Sequence, residues 1–323
     1  MTIFLIRRLM QTIAVLLVMS IIVFVGIFAI GNPVDVLINP EATEAEKEKT
    51  IRDLGLDRPL WEQYFVFLKN AVKGNLGNSF VHNRPAIKLI FERMPATFEL
   101  ATSAMMIAVL LGIPLGLLAG LRPGTASGKS IMSGSIFFFS LPTFWVGLMM
   151  ILIFAVHFNW LPSTGRGETV KLLGIGVSFL TLDGLKHLVL PAINLGLYPL
   201  ALVIRLTASG ARETLPLDFV KFAKAKGLKT HRVIFVHVLK NILIPIVTVV
   251  GLQFSVILAF AVITESVFAW PGMGKLIIDS IELLDRPVIV AYLLVVVVVF
   301  MTINLVVDIF YSVLDPRVRL EGV

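Results

Sequence analysis

The chain has 323 residues, 57% of them apolar, and its mean hydropathy is +0.92. A soluble domain of this length is much less apolar, so the composition indicates a membrane protein. The sequence contains no cysteine, which excludes disulfides, thiolate catalysis and cysteine-ligated metals. The net charge of +7 does not indicate nucleic-acid binding, because the distribution of lysine and arginine between loops accounts for it.

Six apolar runs are long enough to cross a hydrocarbon core, which takes about 20 helical residues. Lipid offers no partner for unpaired backbone groups and alternating barrel patterns are absent, so we predict helices. The first run follows Arg7 and Arg8 as a signal peptide would, but it has 22 residues and no small-x-small cleavage site, which favours an anchor. The predicted spans are Leu9–Ile30, Thr97–Leu121, Ile131–Phe158, Leu188–Ser209, Ile242–Phe268 and Val288–Ser312. The predicted fold class is therefore an all-α polytopic membrane protein with six transmembrane helices.

Basic residues are distributed unequally between the two sides of the membrane. If both termini are cytoplasmic, the cytoplasmic segments contain thirteen Lys and Arg, and the two short outer loops contain five. Positive residues favour the cytoplasmic side, whereas long loops cross regardless of charge. We therefore predict a cytoplasmic N-terminus at 1–8, a first span at 9–30, an extracytoplasmic segment at 31–96, a five-helix core at 97–312 and a cytoplasmic tail at 313–323.

The extracytoplasmic segment is amphipathic. Thr43 and Glu46 fit a capping box at a helix start. Apolar residues recur at helical spacing over Leu60–Gly74. We predict short surface helices here, with a connecting or a docking role both left open.

A basic hairpin at 213–241 separates the fourth and fifth predicted spans. Pro216 suits the first turn of a helix, and Gly227 follows the last residues of that helix, where a left-handed cap favours glycine. Thr230 is placed to cap a second helix over His231–Leu239. The pattern predicts an element that couples this chain to another protein, although a plain basic loop that obeys the inside rule remains open.

The tip of the hairpin is small and basic. Ala223, Ala225 and Gly227 would let a partner surface approach closely. The cations around them are Lys221, Lys224, Lys226, Lys229 and Arg232.

The hairpin resembles the cytoplasmic loop of bacterial ABC importer permeases, which is often written as Glu-Ala-Ala, three residues, then Gly. Aligned on Gly227, the second alanine is Ala223, whereas Lys221 and Phe222 replace the glutamate and the first alanine. These departures resemble the oligopeptide/dipeptide subfamily. Other stretches that resemble this subfamily are Leu54–Tyr64, Gly74–Phe80, Arg93–Ala101, Thr264–Leu276 and Asn304–Val318.

The resemblance implies a type I ABC importer permease fold in the bacterial plasma membrane, surrounded by lipid. It implies a homologous second permease subunit, two ABC ATPase subunits and an extracytoplasmic solute-binding protein as partners. ATP and Mg would be bound by the ATPases, so this chain would bind no cofactor and would not itself be an enzyme. The cargo would be dipeptides or oligopeptides, with nickel chelates or glutathione left open. The residues implied in ATPase coupling are Asp218, Lys221, Ala223, Lys224, Ala225, Lys226, Gly227 and Leu228.

The sequence offers no convincing nucleotide site of its own. The stretch GTASGKS (Gly124–Ser130) has three residues between its glycines, whereas a phosphate-binding loop needs four. It also lies in a short turn between two predicted spans and lacks the strand that precedes such loops. We therefore expect ATP to act through a partner.

An ion-coupled secondary carrier is the alternative from a different class. Such a carrier would need ionisable groups near the midplane of the membrane. The ionisable residues of the predicted spans all lie near span ends. Asn194, Gln253 and Asn304 lie deeper, and we predict hydrogen bonds between helices for them, with a pathway role for Asn194 or Gln253 left open. Glu265 is predicted to form a local cap or an ion pair with Lys275, and a role at the outer gate is left open.

Small residues and proline are concentrated in the second predicted span. Gly112, Pro114, Gly116 and Gly120 lower helix regularity and allow close packing. Both a bundle that rocks between two states and a static bundle would use such residues.

Overall fold

In a computed structural model, most of the described chain is helical. The structure describes residues 2–29 and 57–314, with positions 45, 48, 51 and 52 between them. These residues form two compact units, one of residues up to 94 with 272–302 and one of residues 95–271 with those from 303 onward. The α-helices are α1 (Thr2–Ala29), α2 (Leu60–Val72), α3 (Ala86–Leu121), α4 (Ala126–Ser140), α5 (Thr143–Met150), α6 (Leu182–Thr214), α7 (Asp218–Ala225), α8 (Thr230–Arg232), α9 (Leu239–Val267), α10 (Met273–Glu282) and α11 (Arg286–Leu314).

Two π-helical segments and a pair of short strands interrupt the helical pattern of the described residues. A π-helical segment, Ile151–His157, follows α5, and a second one, Val233–Val238, joins α8 to α9. Strands β1 (Val170–Leu172) and β2 (Ile175–Val177) pair antiparallel, with Val170 opposite Val177. The sequence did not predict this small hairpin, because three-residue strands are too short to show an alternating pattern.

Among the described residues, five helices are long and apolar enough to cross a membrane: α1, α3, α6, the continuous rod Thr230–Val267 and α11. The predicted helical conformation of these five regions is thus confirmed. Each helix extends beyond its predicted run, because hydropathy detects the apolar stretch whereas the backbone hydrogen bonds continue into polar residues.

The third predicted span, Ile131–Phe158, is not one straight helix. Helix α4, which begins before this run, is followed by a helical stretch Thr143–His157 made of α5 and the π-helical segment, and the two are bent by 103° at a short break. Pro142 lacks a backbone N–H and disfavours a helical conformation at Leu141, whose ψ is 138°. Counted as one broken span, the bent pair brings the total in the described part of the chain to six.

The predicted border between the outer segment and the core, at Ala96, stays a prediction, and it does not coincide with a helix boundary. Helix α3 begins at Ala86 and continues through Pro95. Its first turns are stabilised by the buried side chains of Ala86 and Ile90, and a single proline removes only one N–H from the ladder. The helical spacing at Leu60–Gly74 is confirmed by α2, whereas the capping box at Thr43 and Glu46 lies outside the described residues.

The first unit is stabilised by polar and aromatic contacts between distant segments. Ser20 on α1 hydrogen-bonds the hydroxyl of Tyr64 on α2 at 2.8 Å, and the Phe24 ring packs edge-on against Tyr64. Asp285 is 1% exposed and accepts hydrogen bonds from Ser79 Oγ and from the backbone N–H of Phe80. The polypeptide before α3 is thereby attached to the turn that precedes α11.

Helices α3 and α6 approach each other very closely in the second unit. A methyl group added at Gly116 would lie 2.5 Å from Thr207 Cβ, and one added at Gly112 would lie 2.8 Å from a Val203 methyl. A side chain at either position would clash with α6, so the close approach of the two helices depends on glycine there. The close packing predicted for the second span is therefore confirmed.

The loop that follows the π-helical segment Ile151–His157 is attached to α3 by a buried carboxylate. Glu99 accepts hydrogen bonds from the N–H of Ser178, the hydroxyl of Ser178 and the N–H of Phe179, at 2.6, 2.8 and 2.9 Å. Arg166 also donates to Glu99 from Nε at 3.0 Å. All these donors converge on one side chain that is 3% exposed, so the loop has a fixed position on α3.

Candidate coupling hairpin and pathway residues

Helix α7 ends in a well-formed glycine cap. Gly227 has φ +75°, and its N–H donates to the Lys224 carbonyl at 2.9 Å. The N–H of Leu228 donates to the Ala223 carbonyl at 3.3 Å. This pair of bonds is the Schellman arrangement, so the left-handed cap predicted at Gly227 is confirmed.

Two details of the predicted hairpin are wrong. Pro216 lies before α7 and not in its first turn, because α7 starts at Asp218 with Leu217 as its N-cap. Thr230 does not cap the next helix, since the N-cap is Lys229 and no side chain bonds there. The second hairpin helix leads directly into α9, as predicted.

One face of the hairpin packs on the helix bundle of its own unit. Val220 and Ala223 are 0% and 4% exposed and belong to a hydrophobic cluster with Leu117 on α3 and Val203 on α6. Leu228 packs against the same cluster. Ala223 is therefore turned toward its own chain, which corrects the view that it gives a partner surface close access.

The opposite face of α7 is aromatic and basic. Phe222 is 61% exposed and Phe219 40%, and Lys226 lies over the Phe222 ring at 4.6 Å. Asp218 and Lys221 form an ion pair at 3.1 Å, and both are exposed. The other predicted coupling residues on this surface are Lys224, Ala225 and Gly227, which are also exposed.

From the sequence, Phe222 was identified only as a departure from the permease loop consensus, and Phe219 was not identified. The signal that was available is their three-residue spacing, offset by one position from the buried pair Val220 and Ala223. Two apolar pairs on different sides of one short helix indicate that one pair lacks a partner within the chain.

The hairpin is continuous with a membrane helix. The backbone passes from α8 through the π-helical segment Val233–Val238 into α9 without a break, over Thr230–Val267. Val233 and Val238 are 1% and 0% exposed and belong to the same cluster as Val220. The hairpin and α9 are therefore expected to move together as one rigid element.

Two of the three deep amides form the predicted hydrogen bonds between helices. Asn194 is fully buried, and its Nδ2 donates to the Thr264 hydroxyl at 3.1 Å. The hydroxyl of Ser255 donates to Asn304 Oδ1 at 3.3 Å. Gln253 is partly buried, and its Oε1 has no partner among the described residues. A pathway role for Asn194 or Gln253 stays a prediction.

Glu265 lies in the last turn of α9 and is 0% exposed. Its carbonyl accepts a hydrogen bond from the N–H of Trp270 at 2.8 Å. Lys275 pairs with Asp279 one turn further along α10. The predicted pair between Glu265 and Lys275, and a role of Glu265 at the outer gate, stay predictions.

An aromatic and cationic stack on α4 and α6 was not predicted. The guanidinium of Arg205 lies 4.4 Å above the Phe139 ring, and this ring stacks on Tyr198 at 4.8 Å between centroids. The partners come from different helices, so spacing along the sequence contains no signal for them.

Comparison with known proteins is consistent with this architecture. The family model described as binding-protein-dependent transport system inner membrane component matches residues 112–320, and a model of the N-terminal part of such components matches residues 1–101. The inward-facing MetNI methionine ABC transporter has a similar fold, with a TM-score of 0.54 and 15% identity over 70% of this chain and 96% of that chain.

Several bacterial permeases are similar over nearly the full length. The di/tripeptide transport system permease protein DppB of Pseudomonas aeruginosa is 38% identical over 90% of both chains. The dipeptide transport system permease protein DppB of Escherichia coli K12 is 35% identical over 98% of both chains. The glutathione transport system permease protein GsiC of Escherichia coli O6:H1 is 34% identical over 98% of both chains.

The helical bundle has the type I ABC importer permease fold. The chain belongs to the family of binding-protein-dependent transport system inner membrane components, as an ABC importer permease of the oligopeptide/dipeptide subfamily. It is therefore a multi-span transport subunit of the inner membrane.

Proposed function

We propose that this chain forms half of the translocation pathway of an ATP-driven importer for dipeptides and short oligopeptides. The support for this cargo is that similar permeases are named for dipeptides and tripeptides. A homologous second permease supplies the other half, and an extracytoplasmic solute-binding protein delivers the peptide. Both termini lie in the cytoplasm, as the thirteen to five distribution of basic residues favours.

ATP hydrolysis takes place on two partner ATPase subunits, which bind ATP and Mg. The observation that supports this most is the exposed surface of α7, where Phe219 and Phe222 stand among Lys221, Lys224 and Lys226. Exposed aromatic rings beside basic residues are typical of interface hot spots. This surface docks on an ATPase subunit.

The route of coupling runs from this surface to the spans. Val220 and Ala223, on the other side of α7, pack into the cluster that includes residues of α3 and α6. The rod Thr230–Val267 leaves the same cluster. A displacement of α7 by an ATPase subunit therefore acts on three spans at once.

Glutathione is the second candidate cargo, because the glutathione permease GsiC is similar over 98% of this chain. Glutathione is itself a modified tripeptide, so the two candidates require similar recognition of carboxylate and amide groups. The solute-binding protein makes the main selection between them.

The test is uptake of labelled dipeptide into proteoliposomes that contain the full complex and the binding protein, with and without ATP. Replacing Phe222→Ser is expected to lower ATP-dependent uptake at least about tenfold, as the loss of one hot-spot side chain does. The matched control is Phe65→Ser on α2, since Phe65 is also 61% exposed.

The outcomes distinguish the parts of the proposal. Uptake that is unchanged in Phe222→Ser would contradict the coupling role of α7. Uptake driven by this chain alone, without ATPase subunits, would contradict the assignment of ATP hydrolysis to partner subunits. Competition by glutathione but not by dipeptides would identify glutathione as the cargo and would leave the proposed coupling mechanism unchanged.

A further inference from the structure

The guanidinium of Arg286 is buried in the first unit, and no described carboxylate forms an ion pair with it. Arg286 is 4% exposed, and its Nε and Nη1 have no hydrogen-bond partner among the described residues. The adjacent carboxylate of Asp285 is engaged by Ser79 and by the N–H of Phe80. A buried cation is strongly unfavourable unless an anion pairs with it. An anion from outside the described residues would therefore stabilise the buried Arg286 guanidinium.

Arg286 lines a cavity of about 250 Å³ between α1 and the beginning of α11. The other walls are apolar side chains, Met19, Ile22 and Val23 from α1 and Ile289, Val290 and Leu293 from α11. An apolar cavity prefers a hydrocarbon occupant to water, because water finds no polar partners along such walls. The site thus combines an apolar interior with a single cation.

The position of Arg286 in its helix strengthens the demand for an anion. Arg286 is the first residue of α11, a helix of 29 residues. The N-terminus of a long helix has a partial positive charge, so a cation there is unfavourable and an anion is favourable. The helix and the guanidinium therefore attract the same kind of group.

We propose that this cavity binds a membrane phospholipid, with an acyl chain between α1 and α11 and the phosphate on Arg286. Both helices are long and apolar enough to span the bilayer. Arg286 lies at the end of its span, where headgroups are found, and Leu293 lies about 10 Å deeper, beside the acyl chains. Guanidinium binds phosphate through two parallel hydrogen bonds. A free phosphate ion would satisfy Arg286 but leave the apolar walls uncovered.

The test measures phospholipid binding to the full chain, purified with the subunits that accompany it and stripped of lipid in detergent. Native mass spectrometry counts the molecules of dioleoylphosphatidylglycerol retained as its concentration rises. Arg286→Leu is expected to weaken the tightest binding step about 10- to 100-fold, as the loss of a charge-assisted hydrogen bond does. Arg84→Leu is the control, since Arg84 is a half-exposed arginine of the same unit that already pairs with Glu92.

Two further variants test the apolar walls of the cavity and distinguish a loss of lipid binding from misfolding. Gly26 lines the same cavity, and a methyl group added there has no heavy atom within 4 Å. Gly26→Leu should fill the cavity and displace the acyl chain while Arg286 stays in place. Arg286→Lys keeps a positive charge and should retain more binding than Arg286→Leu.

Each outcome decides the proposal. Weakened binding in both Arg286→Leu and Gly26→Leu, with Arg84→Leu unchanged, supports it. Full displacement of the lipid by inorganic phosphate would show a simple anion site and overturn the assignment to lipid. Equal affinity for dioleoylglycerol, which lacks the phosphate, would overturn the role of Arg286. None of these results depends on which solute the transporter carries.

Discussion

The Oε1 atom of Glu99 and the backbone nitrogen of Ser178 lie 2.6 Å apart, although 79 residues separate them in the sequence. The same oxygen accepts the Ser178 hydroxyl and the N–H of Phe179, and Arg166 binds the other carboxylate oxygen. One side chain on α3 therefore fixes the segment from Arg166 to Phe179, which includes the β1–β2 hairpin.

Glu99→Ala is expected to destabilise the protein by about 3–5 kcal/mol, because it leaves the guanidinium of Arg166 without its buried partner. Thermal unfolding measures the loss, and limited proteolysis should cut the β1–β2 hairpin faster. Glu92→Ala is the control, since Glu92 pairs with Arg84 at an exposed site where such pairs contribute about 0–1 kcal/mol. Equal effects of the two substitutions would contradict the anchoring role of Glu99.

Gly116→Leu is expected to force α3 away from α6, because a Cβ atom at this position already lies 2.5 Å from Thr207 Cβ. Overpacking of this kind costs about 1–3 kcal/mol or more. Gly134→Ala on α4 is the matched control, since its added methyl group has no heavy atom within 4 Å. It should be neutral or stabilising by about 0.5–1 kcal/mol through helix propensity. Thermal unfolding of the two variants in the same detergent tests the contrast.

Gly227→Val should disturb the cap of α7 through backbone strain and not through a clash. The φ of Gly227 is +75°, and its surroundings are open within 4 Å of an added Cβ. Gly227→Asn is the control, because asparagine tolerates the left-handed conformation much better than valine does. We expect ATPase co-purification to fall in Gly227→Val and to stay near the wild-type level in Gly227→Asn. Similar losses in both variants would point to a direct contact at this position.

Trp270→Phe removes a hydrogen bond that closes the loop after α9. Trp270 is fully buried, and its Nε1 donates to the Ala96 carbonyl at 2.9 Å. The lost bond and the unfilled volume are expected to cost about 1–3 kcal/mol in thermal unfolding. Trp160→Phe, at a residue that is 64% exposed, should change stability by less than about 0.5 kcal/mol.

Most of the helical architecture could be predicted, because long apolar runs have few alternatives in a bilayer. The bend at Pro142 could have been inferred from proline chemistry, but hydropathy alone merged α4 and α5 into one run. The β1–β2 hairpin could not be predicted. Its position depends on Glu99 in a distant helix, and a pairing across 79 residues leaves no local signal.

The basic hairpin at 213–241 shows the same limit of sequence-based prediction on a smaller scale. The left-handed glycine at Gly227 follows from local chemistry and was predicted. The direction of Ala223 depends on which side of α7 meets the bundle, and small size alone gives no direction. The spacing along the sequence separates two apolar pairs on α7, but only the packed structure shows that Val220 and Ala223 are the buried pair.

The uninterrupted rod from Thr230 to Val267 has a geometric consequence. Its 38 residues extend for about 57 Å, so the rod is longer than the hydrocarbon layer it crosses. A rotation of about 5° about one end would sweep the other end through about 5 Å. Small angular displacements beside Thr230 are thus magnified near Val267 into distances comparable to the width of a peptide backbone.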